Sequence, residues 1–423
     1  MNRFWKILTS LRITVTLLAL SVLLVFFGTL AQVDDGLWKA QDIWFHSFFV
    51  KMQHLQLFDW RFVVPAFPGG WLIGFVLIAN LIAAFIKRFS WKREKIGIHL
   101  IHSGVILLIL GQFATELFSN ESHLRLKEGE TRNFSEDHMK DELAFVSSAG
   151  DGKEEVVVIP ESMLKKGAEI KTEKLPFTIR VKDYQMNGQL RRRGPMVDAP
   201  ATATQGDGAR LVAEPLPEEK DTDLHNLPYA YIELLEKGQS LGTWLVSPRL
   251  KPQEISVDGR KYNADFRFTR YYQPFSVTLL KSTNEAYRGT DIPRNFRSRI
   301  RIADSSTNEA REVDIYMNHP LRYAGLTFYQ YQMGRDELDA NRGTSTLQVV
   351  RNPGWLTPYV GCYVVAIGMY MQFRQHLTRF LGKRLGTDER KVWWGSWPGR
   401  LLEVVVLGYL IFRFTLKLFG YSS

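Results

Sequence analysis

Two histidines, His99 and His102, stand inside an apolar run that extends from Ile96 to about Leu117. On a helix, residues three apart occupy neighbouring positions of one face, about 5 Å apart along the axis at roughly 1.5 Å per residue. An ionisable side chain at bilayer depth is costly and usually faces a bundle interior or a cavity. A neutral imidazole costs less than a charge and is a good axial ligand for haem iron. The competing reading is structural: a histidine hydrogen-bonded to a neighbouring helix, or one placed at the membrane interface. Gly97, Gly104 and Gly111 recur every seven residues on the same run. They leave a small-residue stripe where another helix or a flat macrocycle could approach closely.

No other group of residues has comparable specificity. Cys362 is the sole cysteine, which excludes an internal disulfide, a CxxC redox pair and a CxxCH attachment site. It lies in an apolar run, where packing is its expected role. The chain has no HExxH, P-loop or GxGxxG pattern, and no catalytic residue is assigned. His46 and His54 read as interfacial, His376 as solvated, and His123, His138, His225 and His319 have no metal-like spacing. Trp393, Trp394 and Trp397 form a tryptophan-rich cluster, but no aspartate accompanies it and Pro398 follows. Interfacial anchoring is the expected role of these three.

The elements that must position the histidines are membrane helices. About 20 apolar residues span a bilayer. The spans expected lie near 11–31, 64–86, 96–117 and 355–373, with a fifth candidate at 401–418 that Glu403, Arg413 and Lys417 interrupt. A helix lying on the membrane surface is the other reading of that fifth segment. Arg3, Lys6 and Arg12 precede the first run, which is too long for a signal core and has no small-residue cleavage site after it. The net charge is +10, and much of the excess flanks the apolar runs. Lys87, Arg88, Lys92, Arg93 and Lys95 lie between the second and third, and six further cations follow the fourth. The positive-inside rule then puts the N-terminus in the cytoplasm, His99 and His102 toward the inner leaflet, and the polar middle outside. Trp38, Trp44, Trp60 and Trp71 suit an outer interfacial belt. Arg191-Arg192-Arg193 is too short to argue a nucleic-acid partner.

Residues 118–353 change period. Val156–Ile159, Phe177–Val181, Tyr229–Leu234, Ser276–Leu280 and Ser298–Ile302 alternate or are rich in β-branched and aromatic residues, and read as strands. The fold expected is a membrane α-helical bundle of four to five helices (residues 1–117 and 354–423) carrying an inserted β-rich extracytoplasmic domain, a sandwich or an open barrel. The stretch 191–226, rich in Pro, Gly and acidic residues, reads as a long exposed loop.

Several of these stretches together resemble the ResB/CcsB family of System II cytochrome c biogenesis. The first span ends in Gly28-Thr29-Leu30-Ala31-Gln32, similar to the family's Gly-Thr-x-x-x-Gln ending but one residue shorter, with Ala31 in place of its proline. His102-Ser103-Gly104 leading to Leu110-Gly111 is similar to its histidine-bearing helix. Leu175-Pro176-Phe177, then Tyr287-Arg288-Gly289-Thr290 with Pro293, Phe296 and Ser298, continue the likeness. The most specific run is Met317-Asn318-His319-Pro320-Leu321-Arg322-Tyr323-Ala324-Gly325-Leu326-Thr327-Phe328-Tyr329-Gln330. The resemblance implies a non-catalytic or co-catalytic subunit of a haem lyase in the inner membrane. Such a subunit works with a ResC/CcsA-like partner that holds a tryptophan-rich motif, and moves haem across the membrane for attachment to CxxCH cysteines of an apocytochrome c. It also implies transient haem b, with His102 best matching the family's ligand position and His99 an extra candidate one turn nearer the cytoplasm. Two other readings stay open: a membrane-anchored scaffold whose histidines are structural, and a haem transporter or sensor serving something other than c-type cytochromes.

Overall fold

A computed structural model describes residues 3–386 except 52, 58–59, 151–152, 195–201, 219–225, 288–292, 305, 337–338 and 340–341; beyond 386 it describes only 405, 408–409 and 412–413. Trp393, Trp394 and Trp397, most of the 401–418 candidate, and His225 therefore lie outside the described residues. The chain divides into two compact units. One comprises residues 1–28, 43–118 and 353–423, and the other residues 29–42 and 119–352.

The first unit is helical. Its helices are α1 (Arg3–Leu8), α2 (Leu11–Asp35, whose last residues pass with α3, Leu37–Ala40, into the other unit), α4 (Gly70–Arg88), α5 (Ile96–Phe118) and α6 (Thr357–Leu385). Among the described residues three helices, α2, α4 and α5, are long and apolar enough to cross a membrane; the chain is a membrane protein. The fourth expected segment forms α6, which is less apolar because Gln372, Arg374 and His376 interrupt it.

The second expected span begins later than its apolar run implies. Trp60–Val64 is not the start of that helix but a strand (β3), paired antiparallel with Gln53–Leu57 (β2). Phe49–Val50 (β1) and Phe67–Pro68 (β4) pair around them, and α4 starts only at Gly70. Pro65 and Pro68 explain the delay, since proline disfavours helix in the residue before it and lacks a ladder donor. Trp44 is buried, packed near Phe27, so it is a core residue of this unit rather than part of an interfacial belt.

Asn80 ties the N-terminal helices together. It is fully buried in α4, accepts a hydrogen bond from the Thr14 hydroxyl at 2.6 Å and donates to the Leu8 and Ser10 carbonyls. Both carbonyls lie at the break between α1 and α2; the Ser10 carbonyl also accepts from the Ile13 amide there. Asn80→Leu should therefore lower the stability of the helical unit by about 1–3 kcal/mol, the cost of orphaning buried polar groups, read as a shifted unfolding midpoint in detergent.

The second unit is the β domain. Its strands are β5 (Asn120–Lys127), β6 (Thr131–Gly150), β7 (Lys153–Pro160), β8 (Glu169–Ile170), β9 (Thr178–Gln185), β10 (Gly188–Arg192), β11 (Leu211–Pro215), β12 (Tyr229–Glu236), β13 (Gln239–Val246), β14 (Gln253–Val257), β15 (Arg260–Ala286), β16 (Pro293–Asp304), β17 (Glu309–Tyr316), β18 (Leu321–Tyr323), β19 (Leu326–Arg335) and β20 (Gly343–Arg351). Ten strands form one antiparallel sheet in the order β17-β16-β15-β6-β5-β20-β19-β18, with β14 beside β15 and β7 beside β6. A second sheet runs β13-β12-β9-β8. Neither sheet closes into a barrel, and the β-rich domain expected is present. All five expected strand segments lie within or overlap strands.

Two apolar cores follow from this pairing. In one, Leu143 and Phe145 of β6, Tyr262, Ala264 and Phe266 of β15, and their β7 and β14 neighbours face Ile179, Val181, Ile232, Leu234 and Trp244 of the four-stranded sheet. In the other, Phe275, Val277 and Leu279, further along β15, pack with Leu124, Leu126, Ile300, Ile302, Phe328, Leu347 and Val349. Stretch 191–226 is not one exposed loop. β10 and β11 pair over Gly188–Pro215, and Ala203 beyond β10 is buried against Tyr229, Tyr231 and Leu245. Ala203, with Leu211 and Ala213 packed against the same cluster, anchors that polar stretch, which its composition concealed.

Candidate functional site on the third membrane helix

α5 runs antiparallel beside α6, and glycines set the spacing. A Cβ on Gly97 would come within about 3 Å of Gly368 and Gln372, and one on Gly104 would lie 2.6–2.9 Å from Val365 and the Gly361 carbonyl. Gly111 meets Thr357 in the same way. Small residues let two helix backbones approach closely in an apolar medium. The glycine stripe is therefore filled by a helix, and it is not open to a macrocycle.

The two histidines turn to different surroundings. His99 is half-buried toward α4. Its ring lies 4.7 Å from Phe89 and 5.9 Å from Phe85, centroid to centroid. Its Nε2 is 2.9 Å from the Ser90 carbonyl and 3.2 Å from the Ser90 amide nitrogen, so it donates to one or accepts from the other according to tautomer. This imidazole closes the turn between α4 and α5, a structural task.

His102 is exposed. Its Nδ1 lies 2.7 Å from the carbonyl of Ile98, one turn earlier. A carbonyl only accepts, so Nδ1 carries the proton and, in the neutral ring, Nε2 carries the lone pair. Fixing one ring nitrogen on a backbone acceptor is how proteins set the tautomer of a metal-binding histidine. Ile98 and Val105, on the same side of the helix, are also exposed. His102 thus sits in an apolar stripe that neither α4 nor α6 covers.

Other sequence candidates fall elsewhere. Nε2 of His46, exposed, is 2.9 Å from Glu116 Oε1 near the far end of α5. His376 contacts Gln372 within α6. Cys362 is exposed on α6 rather than packed inside. His319 stacks on Tyr316, centroids 4.6 Å apart, at the turn into β18. His123 and His138, fifteen positions apart, come together on one face of the β domain, centroids 4.9 Å apart. Sequence spacing gave no sign of this pair, because the contact is made across two strands. Among the described residues no group of three or more His, Cys, Asp or Glu is arranged to hold a metal ion.

Comparison with known proteins bears on what this arrangement serves. A model of the ResB-like family matches residues 251–343. Over 308 residues the chain is 24% identical to Protein NrfI of Wolinella succinogenes, a match that takes in 72% of this chain and 30% of that protein. Residues 251–343 are ResB-like. The ResB-like stretch 251–343 runs from β14 through β19 to the first residue of β20. It contains the run Met317–Gln330, which forms the β18–β19 hairpin with Ala324 and Gly325 at φ 49° and 76°. Positive φ at both central positions is what a two-residue hairpin turn requires. The match to NrfI spans about a third of that relative's length.

Proposed function

We propose that the chain is the haem-handling subunit of a cytochrome c biogenesis system, with haem as its cargo and His102 as the iron ligand it offers within the membrane. The reading rests on one observation above the others: His102 is exposed in an apolar stripe with Nδ1 held by the Ile98 carbonyl. That leaves Nε2 as the atom an iron would take. The ResB-like match supports the pathway. Bare imidazole facing lipid is costly, which favours cover by a helix of a ResC/CcsA-like partner carrying the second ligand. In this reading α6 also crosses the membrane, the β domain lies on the outer side of the inner membrane, and it holds partner or apocytochrome c there.

The test is the absorption spectrum of the chain purified with its bound cargo, in wild type, His102→Ala and His99→Ala. The haem held at the membrane site is expected to be lost in His102→Ala, with recovery on adding free imidazole. His99→Ala should keep its haem and lose thermal stability, because its ring packs on Phe85 and Phe89. Undiminished haem in His102→Ala would end the assignment and favour the scaffold reading.

A further inference from the structure

The pairing of β6 with β15 is interrupted at one place. Asp137 pairs with Thr269 and Asp141 with Phe268, so residues 138–140 are extruded from the ladder. Asp137 braces the bulge: it accepts from the Met139 amide at 3.0 Å and from Tyr271 at 3.2 Å, and pairs with Lys140 at 3.2 Å. Bulges re-aim side chains and are common beside functional sites. Here the bulge lays His138 on Phe268, stacked with centroids 4.7 Å apart, and beside His123 of β5. Tyr331 of β19 continues the row, 4.9 Å from His123, and is more than half exposed.

The result is four rings in successive contact, Tyr331, His123, His138 and Phe268, with both imidazoles in the middle. Imidazoles select transition-metal centres. A bare cation would want three or four protein ligands, and among the described residues no group of three or more His, Cys, Asp or Glu is arranged to hold one. An iron porphyrin brings four nitrogens of its own and needs only one or two axial ligands. Its flat face is suited to stacking on aromatic rings. Arg125, exposed two residues along β5 from His123, offers a cation to a carboxylate substituent.

We infer that the His123–His138 pair on the β domain is a second haem-binding site, in which one imidazole ligates the iron while Phe268 and Tyr331 contact the macrocycle. The choice of haem rests on the cargo proposed above. Its geometry is independent of His102.

Hemin titration of the full chain in detergent micelles, followed at the Soret band, tests it. Wild type should bind two equivalents, the His123→Ala/His138→Ala double variant one, and His102→Ala the other one. An unchanged count and affinity in a double variant with native circular dichroism overturns the inference. Should that variant misfold, Tyr331→Ala serves: about tenfold weaker binding of one equivalent is expected, and none overturns it. Zn²⁺ alone binding at the pair without competition from hemin also overturns it. Loss only in His102→Ala leaves the proposed function standing and removes this site. Loss only in the double variant does the reverse.

Discussion

Replacing Gly104 by leucine is expected to separate α5 from α6 and to cost the helical unit about 3 kcal/mol or more. The reason is the identity of the atoms it would meet. A first side-chain carbon on Gly104 already falls 2.9 Å from the Gly361 carbonyl and 2.9 Å from the Val365 amide. Backbone cannot step aside as a flexible side chain does. At Gly74 the nearest atoms are the ring edge of Phe113, 3.2 Å away, so Gly74→Ala should cost far less. Val105→Leu, on the exposed side of α5, is the control and should cost under 0.5 kcal/mol. Unfolding by SDS in mixed micelles, followed by circular dichroism, reads all three. Equal midpoints for Gly104→Leu and wild type would show that the helices do not need this approach.

The second large effect is a pH dependence in the β domain. Asp141 lies at the bulge in β6, with Oδ1 enclosed and without a hydrogen-bond partner. Burial, and then the negative charges of Glu161, Asp137 and Glu142, push its carboxyl up from 3.8 to about 7. The cations near these acids are committed: Lys140 to Asp137, Arg267 to Glu142. Glu161 accepts from the Tyr184 phenol of β9 and from the Asp141 amide. Burial and Glu161 also raise the Tyr184 phenol, so Glu161 is the negative partner that protonated Asp141 relieves.

The folded chain therefore holds a proton that the unfolded chain gives up between pH 4 and 7. The stabilisation is complete below the unfolded value and is lost as pH rises through about 7. At about 1.4 kcal/mol per tenfold in proton affinity, the span corresponds to roughly 4 kcal/mol. Wild type should lose most of this between pH 5 and 8. Asp141→Asn, which cannot ionise and offers Glu161 a donor, should show a flatter profile and greater stability than wild type at pH 8. Urea unfolding of the full chain at a series of pH values measures it. Parallel profiles for the two proteins would refute the assignment of the proton to Asp141.

Much of the architecture was legible because it rests on periodicity. Ile96–Phe118 announces a helix by unbroken apolarity, and Ser298–Ile302 a strand by alternation. The start of α4 was misplaced because apolarity alone does not distinguish Val63-Val64 in a strand from the same pair in a helix. The hairpin of β10 and β11 hid behind Pro, Gly and charge. At the candidate site, His102 was legible as an ionisable group in an apolar run, but its separation from His99 was not. Three residues turn the helix by about 300°, and which flank is covered depends on where α4 and α6 pack. The row from Tyr331 to Phe268 was invisible in sequence, since strand register and a three-residue bulge create it.

β15 donates side chains to both apolar cores, and β6 pairs with it along both stretches. Unzipping either core therefore strips hydrogen-bonding strands from the other, and the domain has no seam along which half of it could come free. Amide protons of Ile232 in one half and Leu347 in the other should exchange with deuterium through the same global opening. A domain of that kind opens as one unit rather than shedding half of itself.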